Sequence, residues 1–449
     1  RRVQLVARAH AADDTHPCLR RPLDQHQLGR YRVDGVDDVR IAREVKLVRV
    51  LGGIEALVGF HTAFGVYGEY ARPGRLHLAL AYRNLSLYDD ALGELIKSIE
   101  LASENSEYYY YCGLTYLDKN ILSEAIEMFR KASSLKPRDP AYLFLLAKAY
   151  RVDKNLVEAI KSLKAAIEIN PQNPEYHYIL GLTYFENNQA DLAIGQFQVS
   201  LKLEPQNAWA QYYLGRCYNQ TGRFAESADR FKAAIDINPG VWEFHYHLGL
   251  VYLAEGRYSL AEEALETSLG LSPAAELDNI YYNLGKSRFP TGKLKKALEA
   301  FNKAAEYRCS ADDLSYLLGI TWMELGDYSN AEIELKKATS FYDEAEVRYQ
   351  LGLLFMKQDK LELAYQEFQD AFDTNKAPEL KLRFARAKCM AELGELEIAL
   401  EEFQKILKDY PDYATCHREI GKLYRKMDEM ELAIEQFQLS LDLDPGDID

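Results

Sequence analysis

The stretch YHYILGLTYFENNQADLAIGQFQVSLKLEP, Tyr176–Pro205, decides the fold. Gly181 is followed twelve residues later by Ala193 and sixteen residues later by Phe197, and Pro205 closes the unit. Two amphipathic stretches of helical period flank a short polar turn, which reads as a hairpin of two helices. The paired small residues let those helices approach closely. Tyr184 and Phe197 fill the space between them. Proline ends the second helix because it lacks an N–H and clashes with the preceding turn. One such hairpin cannot bury its apolar face alone, so neighbours must stack.

Working outward, the small marker recurs at Ala79, Gly113, Ala147, Gly181, Gly215, Gly249, Gly285, Gly319, Gly352, Ala387 and Gly421. The steps are 34 residues except for one of 36, one of 33 and one of 35. Twelve residues after every marker stands alanine or serine, and sixteen after it stands Phe or Leu, eleven times in eleven. These units resemble tetratricopeptide repeats, whose period is 34 residues. The resemblance covers roughly residues 73–445. It implies an all-α, right-handed α-solenoid superhelix of about eleven helix-turn-helix hairpins. It also implies a concave groove, lined mainly by first helices, of the kind that holds an extended or helical peptide.

Residues 1–72 are unlike the rest, with eleven Arg, one Lys, no Ser and no Asn. So abrupt a shift marks an atypical segment: a small separate domain, a fusion remnant or a misassigned reading frame. It is expected to be dispensable for folding of the array. The chain begins with Arg1, as a fragment or a processed product would. At its other end Ile434, Phe437 and Leu441 are expected to lack a covering helix, leaving a hairpin that self-associates. The array is expected to divide into 73–272 and 273–449. The 36-residue step falls there, Arg288 replaces the core aromatic, and Pro290 is expected inside a helix.

The net charge of −15 is uneven. Residues 1–72 hold 12 basic and 9 acidic residues, and the remainder holds 42 and 60, a net of −18. That field repels a phosphate backbone, which disfavours nucleic acid as a partner. No run of about 18 apolar residues suggests a membrane span. The six cysteines are scattered without metal-ligand spacing, which suits a reducing compartment and makes the cytoplasm the expected location. No cofactor or metal is expected. Phosphate loops, HExxH, GxSxG and kinase motifs are absent from the sequence, and no enzyme activity is expected.

Three residues before the markers runs an aromatic ladder that includes Tyr110, Phe144, Tyr178, Tyr212, Tyr246 and Tyr282. Tyrosine offers area and a polar tip at low entropic cost, which suits recognition. The same spacing also suits plain packing between helices. One residue after the markers, Lys148, Arg216 and Lys286 alternate with Leu114, Leu182 and Leu250. Arg151 and Asn219 follow their basic partners by three residues, where the alternate units carry Leu117, Phe185 and Leu253. These cations either grip an acidic peptide with apolar anchors or merely solvate the surface. The leading function is a non-catalytic protein-binding scaffold. The alternatives are the substrate-recruiting part of a larger enzyme and a self-assembling structural protein.

Overall fold

The computed structural model describes residues 71–272, 276–374 and 379–445, and the side chains of 71–73 lie outside that description, as does the atypical segment up to residue 70. The chain divides into two compact units between Ile169 and Asn170. In the first, the described hairpins are α1 Ala71–Asn84 with α2 Tyr88–Leu101, α3 Ser106–Asp118 with α4 Leu122–Leu135, and α5 Pro140–Val152 with α6 Leu156–Ile169. The second unit begins with α7 Pro174–Glu186 and α8 Ala190–Leu203, α9 Ala208–Gln220 and α10 Phe224–Ile237, and α11 Trp242–Ala254 and α12 Tyr258–Leu271. It continues with α13 Leu277–Arg288 and α14 Leu294–Glu306, α15 Leu314–Glu324 and α16 Tyr328–Ala338, and α17 Glu344–Lys357 and α18 Leu361–Thr374. It ends with α19 Leu380–Leu393 and α20 Leu396–Asp409, and α21 Ala414–Lys426 and α22 Met430–Leu443. Each unit is an all-α solenoid in which paired helices stack in chain order. No described helix is long and apolar enough to cross a membrane.

The marker residue sets the approach of the two helices. A Cβ added at Gly113 would sit 2.7 Å from the Phe129 ring, and one at Gly181 would sit 2.8 Å from Phe197. Those phenylalanines are fully buried, with Ala125 and Ala193 equally enclosed beside them. Where serine replaces the second small residue, at Ser227, its hydroxyl donates to the Gly215 carbonyl at 2.8 Å, so the buried polar atom is satisfied.

Seven residues after each marker the backbone turns left-handed. Glycine fills this place at Gly222, Gly256, Gly292, Gly326 and Gly394, and Ser86, Asn120, Lys154, Asn188, Asp359 and Asp428 adopt the same positive φ. First helices of the early repeats then start on a side-chain cap. Asn105, Asp139 and Asn173 accept the backbone N–H two residues on, at 3.0, 3.0 and 2.9 Å, and Asn207 accepts the one three residues on at 3.0 Å.

At the 36-residue step, α13 ends at Arg288, so Pro290 lies in the turn and not inside the helix. Arg288 points back to α12, donating to Glu262 at 2.9 Å and to Glu266 at 2.6 Å, and Lys293 also pairs with Glu262. Leu265, Ile280, Leu284 and Ala300 form one buried cluster across the step. A joint between 73–272 and 273–449 stays a proposal, with residues 273–275 outside the described residues. Faster hydrogen exchange in 276–288 than in 242–254 would support it, and equal protection would dismiss it.

Buried carboxylates give the fold an acid limit. Burial alone would push Glu94, Glu262, Glu346 and Glu402 up. Hydrogen bonds and charge from Lys97 and Arg75, Lys293 and Arg288, Lys381, and Lys405 and Arg386 outweigh it and hold all four below the usual 4.5. Glu243 and Glu367 are pushed up and act in the opposite sense. A group with a depressed native pKa stabilises above its unfolded pKa and loses that contribution as pH falls through the native value. His247, enclosed and held below the usual 6.5, adds a loss that sets in below about pH 6.5, and the carboxylates add theirs below about 4.5, so urea midpoints are expected to fall progressively from pH 7 to pH 3. A midpoint unchanged down to pH 3 would contradict this.

Candidate functional site

First helices carry the candidate face. In the first unit, the half-buried Tyr110 ring packs on Tyr142 of the next first helix at 5.4 Å. Phe144 is buried, and the Lys148 ammonium stands 5.2 Å from its ring centroid. Arg151 is half-buried one turn further along α5.

In the second unit the ladder is interleaved with core. Tyr178 is buried against Phe197 and Tyr213. Tyr212 is only 4% exposed, packed on Phe231 and Phe244 and stacked on His247 at 5.3 Å and 3°. Tyr246 and Tyr282 are half-buried. The next first helix meets several of these hydroxyls. Asn283 donates to Tyr246 at 3.2 Å, Tyr282 donates to Asp313 at 2.7 Å, and Tyr316 donates to Glu346 at 3.1 Å. Burial pushes Tyr110, Tyr212 and Tyr246 up to about 12, and it raises Tyr282 and Tyr316 further with help from Asp313 and Glu346. The ladder thus staples successive hairpins, with its rings as part of the core.

Cations sit over this ladder. The Arg216 guanidinium lies 4.9 Å from the Phe185 ring, 5.7 Å from Tyr212 and 5.9 Å from Tyr213. It pairs with no carboxylate among the described residues. Asn219, one turn on, is exposed. Lys286 stands 5.1 Å from the Tyr282 ring and donates to its hydroxyl at 3.3 Å. Enclosure and the neighbouring Arg216 charge hold His247 down at about 3, so its imidazole is neutral at any working pH.

The acids of this face escaped the sequence reading. Six residues before the marker, five of the six units with an apolar residue after the marker carry an acid, Glu107, Glu175, Glu243, Asp313 and Glu346, and the first carries Pro73. Units with a cation there carry Ala141, Trp209, Asn279, Lys381 and Thr415 instead. That correlation was the available signal. Glu346 is answered by Lys381 at 2.7 Å. Glu243 is half-buried with no cation beside it. Burial and the nearby Glu276 carboxylate push it up.

The remaining polar residues of interest are structural. His177 bonds the Pro171 carbonyl at 3.0 Å and Gln196 at 2.9 Å, and His417 repeats this with Pro411 and Gln436 at 3.0 and 2.8 Å. Burial pushes the thiols of Cys112, Cys217 and Cys416 up to about 12 and that of Cys389 to about 11, which makes them inert. Among the described residues no His, Cys, Asp and Glu group is placed to hold a metal. Along α22, Met430, Ile434 and Leu441 are exposed.

Stacked hairpins with a recurring small-residue contact and an aromatic first-helix face define a helical-repeat protein. The chain belongs to the tetratricopeptide repeat family, whose model matches residues 76–140, 178–241, 221–276, 282–344 and 384–448. A second TPR repeat model matches residues 154–188. The chain is 27% identical to anaphase-promoting complex subunit 3 of Schizosaccharomyces pombe over 166 residues, 37% of this chain and 20% of that one. It is 28% identical to the human protein O-mannosyl-transferase TMTC1 over 130 residues, 29% of this chain and 15% of that one. The chain spans about a fifth or less of the length of these curated relatives. Among solved structures it is similar to YrrB, a TPR protein with an unusual peptide-binding site, at 23% identity and a TM-score of 0.36 over 40% of this chain and 93% of that one. It is also similar to the APC/C hetero-tetramer Cut9–Hcn1, at 15% identity and a TM-score of 0.43 over 94% and 96%.

Proposed function

We propose that the chain is a non-catalytic protein-binding scaffold, and that the first-helix face of its second unit holds a segment of a partner protein. One observation carries this reading. Arg216 is clamped over three aromatic rings with no carboxylate to answer it among the described residues, and the exposed Asn219 stands one turn along the same helix. A cation fixed in this way is pre-organised for an acidic group, and the rings beside it suit apolar anchors. The fission-yeast relative is itself named as a subunit of a complex, which agrees with a scaffold.

Partner segments captured by the full chain and resynthesised as labelled peptides are expected to bind Arg216→Gln about 2 kcal/mol more weakly, roughly thirtyfold. Lys202→Gln, an exposed charge change on a second helix, is expected to leave binding unaltered. Equal affinity for wild type and Arg216→Gln would move the site elsewhere.

A second reading, the substrate-recruiting part of a larger enzyme, draws on the likeness to the human O-mannosyl-transferase. A catalytic domain encoded in the same transcript would establish it, and a transcript holding repeats alone would dismiss it.

A further inference from the structure

We propose that the face formed by α9 and α11 recognises a segment of mixed charge, with an acidic side chain against Arg216 and a basic one against Glu243; this rests on the peptide-binding reading above. Both groups stand at Tyr212. The Arg216 guanidinium is 5.7 Å from its ring, and Glu243 lies one turn before His247, which stacks on that ring at 5.3 Å. Both are half-buried, and neither meets an opposite charge among the described residues. No ion pair joins them to each other. Elsewhere on the unit the acid of the same register at Glu346 is paired with Lys381 at 2.7 Å. The α9–α11 face presents a cation and an anion that no opposite charge among the described residues answers.

Charge complementarity then fixes the occupant. A wholly acidic segment satisfies Arg216 but brings like charge to Glu243, which the Glu276 carboxylate already disfavours as an anion. A wholly basic segment does the reverse. Partly desolvated charges without partners are costly, and like charges brought together suppress wrong partners. Only a segment carrying both signs relieves both sites. Half-buried Phe185, 4.9 Å from Arg216, offers an apolar contact beside the acid site.

The test uses a synthetic library of random dodecapeptides on the full chain, on Glu243→Gln and on Arg216→Gln, with far-UV circular dichroism confirming unchanged helicity. Wild type is expected to enrich peptides bearing both an acid and a base. Glu243→Gln is expected to lose the preference for the base and to bind the best mixed peptide about tenfold more weakly. Arg216→Gln is expected to lose the preference for the acid. Glu243→Lys is expected to exchange the base for a second acid, a gain that a folding defect cannot imitate. If wild type enriches acidic peptides whether or not they carry a base, and Glu243→Gln changes nothing, the inference falls and the groove reading stands. If wild type enriches nothing, both fall.

Discussion

Phe301→Ala is expected to remove about 3–5 kcal/mol of stability. The Phe301 side chain is fully buried, with Ala297 and Ala304 on its own helix and Leu314 and Leu318 of the next hairpin in the same cluster. No smaller residue can fill the hole, because the ring lies 2.3 Å from where a Gly285 Cβ would be, the tightest of the marker contacts. The converse change, Gly285→Ala, sets overpacking of about 1–3 kcal/mol against a helix-propensity gain of about 1 kcal/mol. Combining it with Phe301→Leu is expected to recover part of the loss. The chain itself pairs Ala79 with Leu95 and Ala147 with Leu163, although Ala387 with Phe403 departs from that rule. Urea denaturation of the four forms reads the coupling directly. Strict additivity would show that the two side chains do not share space.

Tyr212→Ala is expected to cost about 3–5 kcal/mol as well, and Tyr212→Phe under about 1.5 kcal/mol. The ring is enclosed by Phe231, Phe244 and His247, so its removal opens a cavity in the core of two hairpins. The hydroxyl is the one polar atom of that side chain. Any weakening of binding by Tyr212→Ala therefore mixes lost structure with lost contact, whereas Tyr212→Phe isolates the contact. A Tyr212→Ala protein as stable as wild type in urea would show that the ring is a surface group and return it to the recognition face.

The repeat was legible because it answers to one short distance. At each glycine marker a Phe or Leu carbon lies within 3 Å of where a Cβ would be, so only the smallest residues stand at the marker, and it recurs with its partner without exception. The left-handed turn residue seven positions on was not legible. Glycine, Asn, Asp, Ser and Lys all occupy it, since an isolated residue of positive φ is tolerable in a turn held by its flanking helices. At the candidate site the periodicity of aromatics and cations was plain in the chain, but the division of the ladder into core and face was not. Tyr178 and Tyr212 are buried because Phe197, Tyr213, Phe244 and His247 close over them, and those neighbours come from other helices. Glu243 looked like one more solvated acid in an acidic chain. What separates it from Glu346 is the absence of a cation opposite, a property of packing and not of spacing.

The alternation of signs over the first five hairpins of the second unit, Glu175, Arg216, Glu243, Lys286 and Asp313, which ends where Glu346 follows Asp313, has a consequence for how that stretch can change length. Hairpins are nearly interchangeable as building blocks, yet the message on their face is written in pairs. Loss or gain of one hairpin within that stretch inverts the phase of the marks beyond it there, so that an acid stands where a base stood. Loss or gain of two keeps the phase and alters only how many marks there are. A ruler of this kind tolerates being cut, provided the cut falls on an even division.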